Sequence, residues 1–277
     1  MKGVPRLLVC VMALALSGAA SGSLLFAQNE AEQIVPFSDP SRPGKVEVQL
    51  LSGGITVRGE ARKDVAIVMR QRPERPSTAL PAPPAGLRRL QQVAGFEVSE
   101  ERNEIKIEGS SFRRSGSLEL RVPFRTNLEL GSVNEGTITV ENVEGEIEIE
   151  NVNGPVVLTN VAGSVVANSV NGGVTARLTR VMADKAMAFT SLNGPVDVTL
   201  PPTIKATLKM RSDQGDVFTD FDVQLRPAPA DSNTGARKGG RYRVEVNRAI
   251  YGAVNGGGPE IELRTFNGSV FLRKGAQ

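Results

Sequence analysis

Apolar and polar residues alternate along most of this chain, and glycine interrupts the alternation at regular intervals. Five glycines are spaced nine residues apart: Gly136, Gly145, Gly154, Gly163 and Gly172. In the first four units, positions two, four and seven after the glycine are apolar, as in Ile147, Ile149 and Val152. A period of two is typical of a strand with one buried face, and Asn-Gly pairs favour turns. The pattern therefore predicts short strands joined by tight corners.

Nine residues suit two architectures: an antiparallel meander, or a solenoid in which two units make one coil. Corner glycines from Gly116 to Gly215 are 18 to 22 residues apart, which favours the solenoid. Amide side chains at the corners would then stack along one edge. These residues are Asn134, Asn153, Asn171, Asn193 and Gln214. Pro123, Pro201 and Pro202 suit the opposite corner, where no backbone donor is needed.

Composition agrees with an all-β, single-domain protein. The 277 residues are 40% hydrophobic, and the middle of the chain is dominated by Val, Ile, Leu, Thr and Gly. We expect a lead segment over 28–44 and a β-solenoid over 45–277 with coils of about 18–22 residues. Two segments rich in proline, arginine or glycine, 71–92 and 226–241, interrupt the pattern and are expected to be surface loops.

The first 27 residues resemble an export signal. Lys2 and Arg6 precede an apolar run, and Ala27 ends a stretch of small residues, so cleavage before Gln28 is expected. The alternative is an uncleaved membrane anchor, because residues 7–27 are about long enough to span a bilayer. Cys10 lacks the small preceding residue of a lipid-attachment site. The protein is therefore expected in the periplasm, at the cell surface or in the medium.

Charge and residue usage exclude several functions. Lys and Arg number 33 and Asp and Glu number 30, and loss of Lys2 and Arg6 with the leader leaves a net charge of +1, which argues against nucleic-acid binding. The chain has no histidine, and its one cysteine lies in the leader. Histidine-based triads, thiol nucleophiles and zinc-thiolate sites are therefore excluded from the mature chain, and no cofactor or metal is expected.

The corners also resemble a known family. GSVNEG, NSVNGG and TSLNGP, each followed by alternating Val or Ile, and the ending AVNGGGPEIELRTFNGSVFLRK are similar to the bacterial putative-adhesin domain of unknown function, related to autotransporter adhesin head domains. The resemblance spans about Lys45 to Lys274. It implies a right-handed parallel β-helix and an exported protein, and it implies no catalytic residue. The structural corners predicted from the repeat are Gly136, Gly145, Gly154, Gly163, Gly172, Gly194, Gly215, Gly268, Asn153, Asn171 and Asn193.

Two acidic clusters are candidates for chemistry. The first is Asp213, Asp216, Asp220 and Asp222, whose carboxylates could lie at the separations of about 5–9.5 Å that glycosidases use. The simpler interpretation is a glycine corner followed by an outward strand face. The second is Glu135, Glu141, Glu144, Glu146, Glu148 and Glu150, either a cation-binding or basic-partner patch or a solvated face that keeps the sheet from pairing with other molecules.

The sequence thus favours a non-catalytic envelope protein that contacts an unknown protein or glycan at the cell surface or in the periplasm, with any membrane contact made only through an uncleaved leader. A carbohydrate-active enzyme and a periplasmic partner in envelope sensing are the alternatives. The arginines of the first insert are the candidate contact residues: Arg70, Arg72, Arg75, Arg88 and Arg89. Each could bind an acidic glycan or lipid, or could belong to an ordinary solvated loop.

Overall fold

The structure is a computed structural model that describes residues 32–71, 96–109, 116–228, 235–238, 241–244 and 249–275. Within these ranges every regular element is a strand, which confirms the all-β prediction. The strands are β1 (Glu32–Pro36), β2 (Gly44–Glu60), β3 (Asp64–Gln71), β4 (Phe96–Glu101), β5 (Glu104–Gly109), β6 (Gly116–Pro123), β7 (Thr126–Asn134), β8 (Ile138–Glu141), β9 (Glu144–Asn151), β10 (Val156–Asn171), β11 (Val174–Val181), β12 (Met187–Asn193), β13 (Val196–Leu200), β14 (Ala206–Ser212), β15 (Val217–Thr219), β16 (Gln224–Arg226), β17 (Gly235–Lys238), β18 (Arg241–Val244), β19 (Ile250–Val254), β20 (Glu260–Asn267) and β21 (Val270–Lys274).

The centre of the fold is two rows of parallel strands. In the first row the order is β5, the first half of β2, β7, β9, the second half of β10, β12, β20 and β14. In the second row the order is β6, the second half of β2, β8, the first half of β10, β11, β13, β21 and β15. Because β2 and β10 continue from one row into the other, the rows form one hydrogen-bonded sheet. The predicted parallel core is confirmed.

The stacking order departs from chain order at both ends. β2 lies between β5 and β7 in the first row, and β20 lies between β12 and β14. The expectation that the Gly215 coil follows directly on the Gly194 coil is therefore wrong, because the last coil of the chain is inserted between them. β20 can pair with β12 because both strands end in the same Asn-Gly corner, which keeps the two strands in register.

Apolar side chains alternate into one continuous core. Inward residues of both rows are almost fully buried, including Ile147 at 2% and Ile149 at 0% relative exposure. Most of the predicted core positions are buried: Ile138, Val140, Val143, Ile147, Ile149, Val156, Leu158, Val161, Val165 and Ala167. Two are not, since Val152 is half-buried and Val170 is 39% exposed. Both stand at a corner, where the preceding residue points inward instead.

The predicted lead segment and inserts differ in part from the structure. Within 28–44, β1 pairs with β3 in an antiparallel arrangement, and Phe37 lies in the core. Within 226–241, β17 pairs with β18, so this insert is not entirely a loop. Residues 1–27 and 72–92 lie outside the described residues, and the leader and the first insert stay predictions.

Candidate functional site

One corner of the stack repeats the same local structure in successive layers. Several layers present an inward polar residue, an outward apolar residue, an amide and then a glycine, as in Ser169-Val170-Asn171-Gly172 and Ser191-Leu192-Asn193-Gly194. The four positions have different partners.

The glycines form a column of close backbone contacts. A Cβ atom at Gly154 would lie 1.8 Å from the carbonyl oxygen of Gly136, far inside van der Waals contact. Only glycine allows neighbouring layers to approach this closely. The column consists of Gly53, Gly136, Gly154, Gly172, Gly194, Gly268 and Gly215, in spatial order. Gly145 and Gly163 lie at the opposite corner, where a Cβ at Gly163 would lie 2.0 Å from the Gly145 oxygen.

The inward polar residues hold this column together. The Ser169 hydroxyl donates to the Gly154 carbonyl at 2.9 Å, and the Ser191 hydroxyl donates to the Gly172 carbonyl at 2.8 Å. The same bond to a glycine carbonyl recurs in other layers from Ser132, Asn151, Thr265 and Ser212. Since a buried polar group is stable only when it is hydrogen-bonded, each layer fastens the corner of its neighbour. In the sequence, a small polar residue three positions before most corner glycines indicates this bond. The prediction from sequence did not include it.

The outward amides form a hydrogen-bonded ladder. The Nδ2 of Asn171 donates to the Oδ1 of Asn153 at 2.8 Å, that of Asn193 to Asn171 at 2.8 Å, and that of Asn267 to Asn193 at 2.7 Å. At the end of the ladder, the Nδ2 of Asn153 donates to the backbone oxygen of Val133, so Asn134 is not the next rung. The prediction that Asn134 belongs to the stack is therefore wrong. The prediction that Gln214 follows Asn193 is also wrong, because Asn267 pairs in register with Asn193 and takes that place.

Beside the ladder runs an exposed apolar ridge, which we define by its six residues. They are Leu51, Val133, Val152, Val170, Leu192 and Phe266, one from each of six consecutive layers. All except the half-buried Val152 are 39% to 48% exposed. At about 4.8 Å between neighbouring strands, the ridge is about 24 Å long. Each side-chain amide carries two N–H groups and uses one of them in the ladder. The remaining N–H groups form a row of hydrogen-bond donors beside the apolar ridge.

The ridge is a concentration of surface hydrophobicity. Five of the eleven exposed large apolar side chains among the described residues belong to it. Scattered exposed apolar residues are ordinary, whereas an aligned set is a candidate contact surface. In the next layer Asp213 takes the ridge position, and its carboxylate accepts hydrogen bonds from Arg211 at 2.7 and 3.0 Å. The apolar ridge therefore ends in an ion pair.

The aspartate cluster has largely structural contacts. Asp213 is paired with Arg211, and Asp220 accepts a hydrogen bond from the backbone N–H of Lys274 at 2.8 Å. Asp216 and Asp222 are exposed. Among the residues that the structure describes, no group of three or more acidic, cysteine or histidine side chains is arranged to hold a metal.

The glutamate cluster is partly neutralised by bases from other layers. Arg58 pairs with Glu141 at 3.1 Å, and Lys185 pairs with Glu146 at 3.1 Å. Arg180 pairs with Glu144. Glu148 and Glu150 stay exposed on the outer side of β9. This arrangement favours the solvated face over a cation-binding patch.

Of the candidate arginines, only Arg70 lies in the described part of the chain. Its guanidinium pairs with Glu119 at 3.0 Å on the second row. Arg72, Arg75, Arg88 and Arg89 lie outside the described residues. No helix in the described residues is both long and apolar enough to cross a membrane.

Comparison with known proteins identifies the family. The family model described as Toastrack DUF4097 matches residues 44–249, which is well over half of the chain. The protein therefore belongs to this family of domains of unknown function, and the resemblance drawn from its corner motifs is confirmed.

Two solved structures are similar to this chain. A putative cell adhesion protein from Clostridium sporogenes shares 10% sequence identity with a TM-score of 0.43, over 88% of this chain and 99% of that one. A putative adhesin from Bacteroides fragilis shares 8% identity with a TM-score of 0.27, over 88% of this chain and 96% of that one. At these sequence identities and TM-scores, the two structures do not indicate a function for this chain. No curated protein matches the chain.

Proposed function

We propose that this protein is an exported, non-catalytic protein of the cell envelope that acts by presenting its apolar ridge to a protein or glycan, as an adhesin does. The observation that carries the proposal is the ridge itself, with five exposed apolar side chains and the half-buried Val152 aligned across six consecutive layers. Its scaffold is proposed to be a right-handed β-solenoid with coils of 18–22 residues, which the two parallel rows support.

The physical basis is that the ridge is rigid before contact. Ridge residues lie between a hydrogen-bonded amide ladder and hydroxyls fixed on glycine carbonyls, so covering the ridge orders little additional chain. Covering it also removes apolar surface from water, a favourable contribution of about 25 cal/mol for each Å² against which the costs of association are set. The exposed amide donors can orient a polar partner along the same edge.

A binding array tests this function. Purified residues 28–277 are applied to immobilised glycans and extracellular-matrix proteins, beside a variant that carries both Leu192→Ser and Phe266→Ser. The matched control is Val166→Ser, since Val166 is 36% exposed on the outer side of the first row and outside the ridge. We expect the ridge variant to bind at least about tenfold more weakly and the control to bind like the wild type. Equal binding by all three proteins, or no binding by the wild type, would contradict the proposal.

The enzyme alternative is tested on the same preparation. Degradation of a polysaccharide that is abolished by Asp216→Asn or Asp220→Asn would replace the proposed function. Capture of a periplasmic signalling protein through the ridge would favour envelope sensing over adhesion.

A further inference from the structure

A second surface feature lies far along the chain from the ridge residues of β10, β12 and β20. It is a cavity of about 110 Å³ beside the start of β2, and it is lined in part by Phe37, Pro43, Pro123, Arg42, Lys63 and Arg125. Since each water molecule occupies roughly 30 Å³ in the liquid, this cavity has room for a group of a few heavy atoms. We call it the basic pocket.

The basic pocket carries uncompensated positive charge. Lys63 and Arg125 are both exposed, and neither has an ion-pair partner among the described residues. The carboxylate next to Lys63 in the chain, that of Asp64, is engaged by Arg62 at 2.5 Å. The backbones of Arg125 and Glu144 form an isolated parallel β-bridge. The Glu144 carboxylate pairs with Arg180 and not with the Arg125 guanidinium.

The third cation of the basic pocket, Arg42, already has an acidic partner. Arg42 pairs with Asp39 at 2.7 Å through its Nε atom. Hydrogen bonds from Ser41, with a smaller contribution from Arg42, hold the pKa of Asp39 below its ordinary value, so the carboxylate stays charged. Among the six residues that define the pocket, Lys63 and Arg125 therefore carry the charge that can attract a ligand.

The walls of the basic pocket are fixed in advance. The buried Asn103 side chain accepts from the Asp39 N–H at 2.9 Å and donates to the Pro43 carbonyl at 3.3 Å, which holds both ends of the 39–43 loop. Phe37 packs directly on Gly44, where a Cβ atom would lie 2.3 Å from the ring. Proline lines the remaining wall at Pro123. A site that is ordered before binding loses little entropy when a ligand enters.

We propose that the basic pocket binds one small oxyanion, a carboxylate, sulfate or phosphate group, either free in solution or as the side group of an acidic glycan. Arginine and lysine together match this chemistry, because guanidinium binds oxyanions with paired N–H groups and ammonium supplies a compact charge. The cavity holds the anionic group itself, and any sugar that carries it lies outside. This proposal does not rest on the ridge.

Calorimetric titration of purified residues 28–277 tests the proposal. The probes are sodium sulfate, sodium phosphate, glucuronate and an oligogalacturonate, each against sodium chloride at equal ionic strength. The variants are Lys63→Gln and Arg125→Gln, and the matched control is Arg177→Gln, an exposed arginine of β11. Circular dichroism checks that all variants fold.

We expect saturable binding of at least one probe, weakened about tenfold or more by each pocket variant, the loss that one charged hydrogen bond produces. The control is expected to bind like the wild type. Binding of the inorganic ions shows a site for free oxyanions, whereas binding of the uronates alone shows a site for an acidic glycan. No saturable binding of any probe, or an equal loss in Arg177→Gln, would overturn the proposal.

Discussion

The side-chain amide of Asn193 donates to the side-chain oxygen of Asn171 at 2.8 Å, across two parallel strands in which these residues are paired. They are 22 residues apart in the chain, and the same bond joins Asn267 to Asn193 across 74 residues. A shift of one residue in either strand would break these contacts and turn inward side chains outward. The ladder therefore helps to fix the register that aligns the ridge.

Asn171→Ala removes the central rung of the ladder. Asn171 accepts from Asn193 and donates to Asn153, so two hydrogen bonds are lost. Because the site is exposed, we expect the free energy of unfolding to fall by only about 1–2 kcal/mol in urea titrations. The control is Gln214→Ala, an exposed amide outside the ladder, which should change stability very little. Equal losses in the two variants would show that the ladder adds no stability.

Ser169→Ala removes a buried hydroxyl that binds the Gly154 carbonyl. We expect a loss of about 1–3 kcal/mol in the free energy of unfolding, because the buried carbonyl loses its side-chain donor. Asn151 occupies the equivalent position one layer away, and its buried Oδ1 has no hydrogen-bond partner in the described residues. Asn151→Ser removes this unpaired oxygen together with one amide bond, to the Pro155 carbonyl at 3.2 Å, so it should cost less than Ser169→Ala. The same urea titration checks both variants, and similar losses would contradict the interpretation.

Ile147→Lys and Glu148→Lys compare the two sides of β9. Ile147 is 2% exposed in the core, so the substitution loses about 1.5–3 kcal/mol of apolar burial and adds a buried charge that costs several kcal/mol more. Against a total stability of about 5–15 kcal/mol, this should unfold the domain. Glu148 is exposed, and its substitution should be nearly silent by circular dichroism and thermal melting. Unfolding in both variants would contradict the alternation.

Much of this architecture could be predicted because the core is encoded locally. Alternation around Ile147 and Ile149 identifies a strand with one buried face, and the spacing of the glycines identifies the layers. Spatial order was harder to predict, because the period is the same whether a layer's neighbour is consecutive in the chain or not. Asn267 thus takes the position next to Asn193 that the sequence suggested for Gln214.

The candidate site was partly hidden by the same pattern. Val170 reads as a core residue in the nine-residue unit, yet the chain bends at the corner, and Ser169 takes the inward position. A hydrophobic pattern alone does not show that bend. The basic pocket could not be predicted from the sequence, because Lys63 and Arg125 line the same cavity only in the folded chain.

Glu100 is expected to make the stability of the fold depend on pH in the acid range. Hydrogen bonds from the side chain and backbone of Ser38 hold the pKa of Glu100 below its ordinary value of 4.5. A lowered pKa stabilises the fold above the ordinary value, and this contribution disappears as the pH falls through the lowered pKa. We expect Glu100→Gln to be less stable than the wild type at pH 7 and equally stable in strong acid, measured by thermal melting. A difference that persists at low pH would contradict this assignment.

Photo-crosslinking in the producing cell tests the ridge most directly. A photoreactive amino acid replaces Leu192 or Phe266 in the ridge, and in separate strains it replaces Thr175 or Thr199 on the outer side of the second row. If the ridge is the contact surface, irradiation gives adducts at Leu192 and Phe266 and few at Thr175 and Thr199. Adducts that are absent from the ridge, or equally abundant at all four positions, would contradict the proposed function.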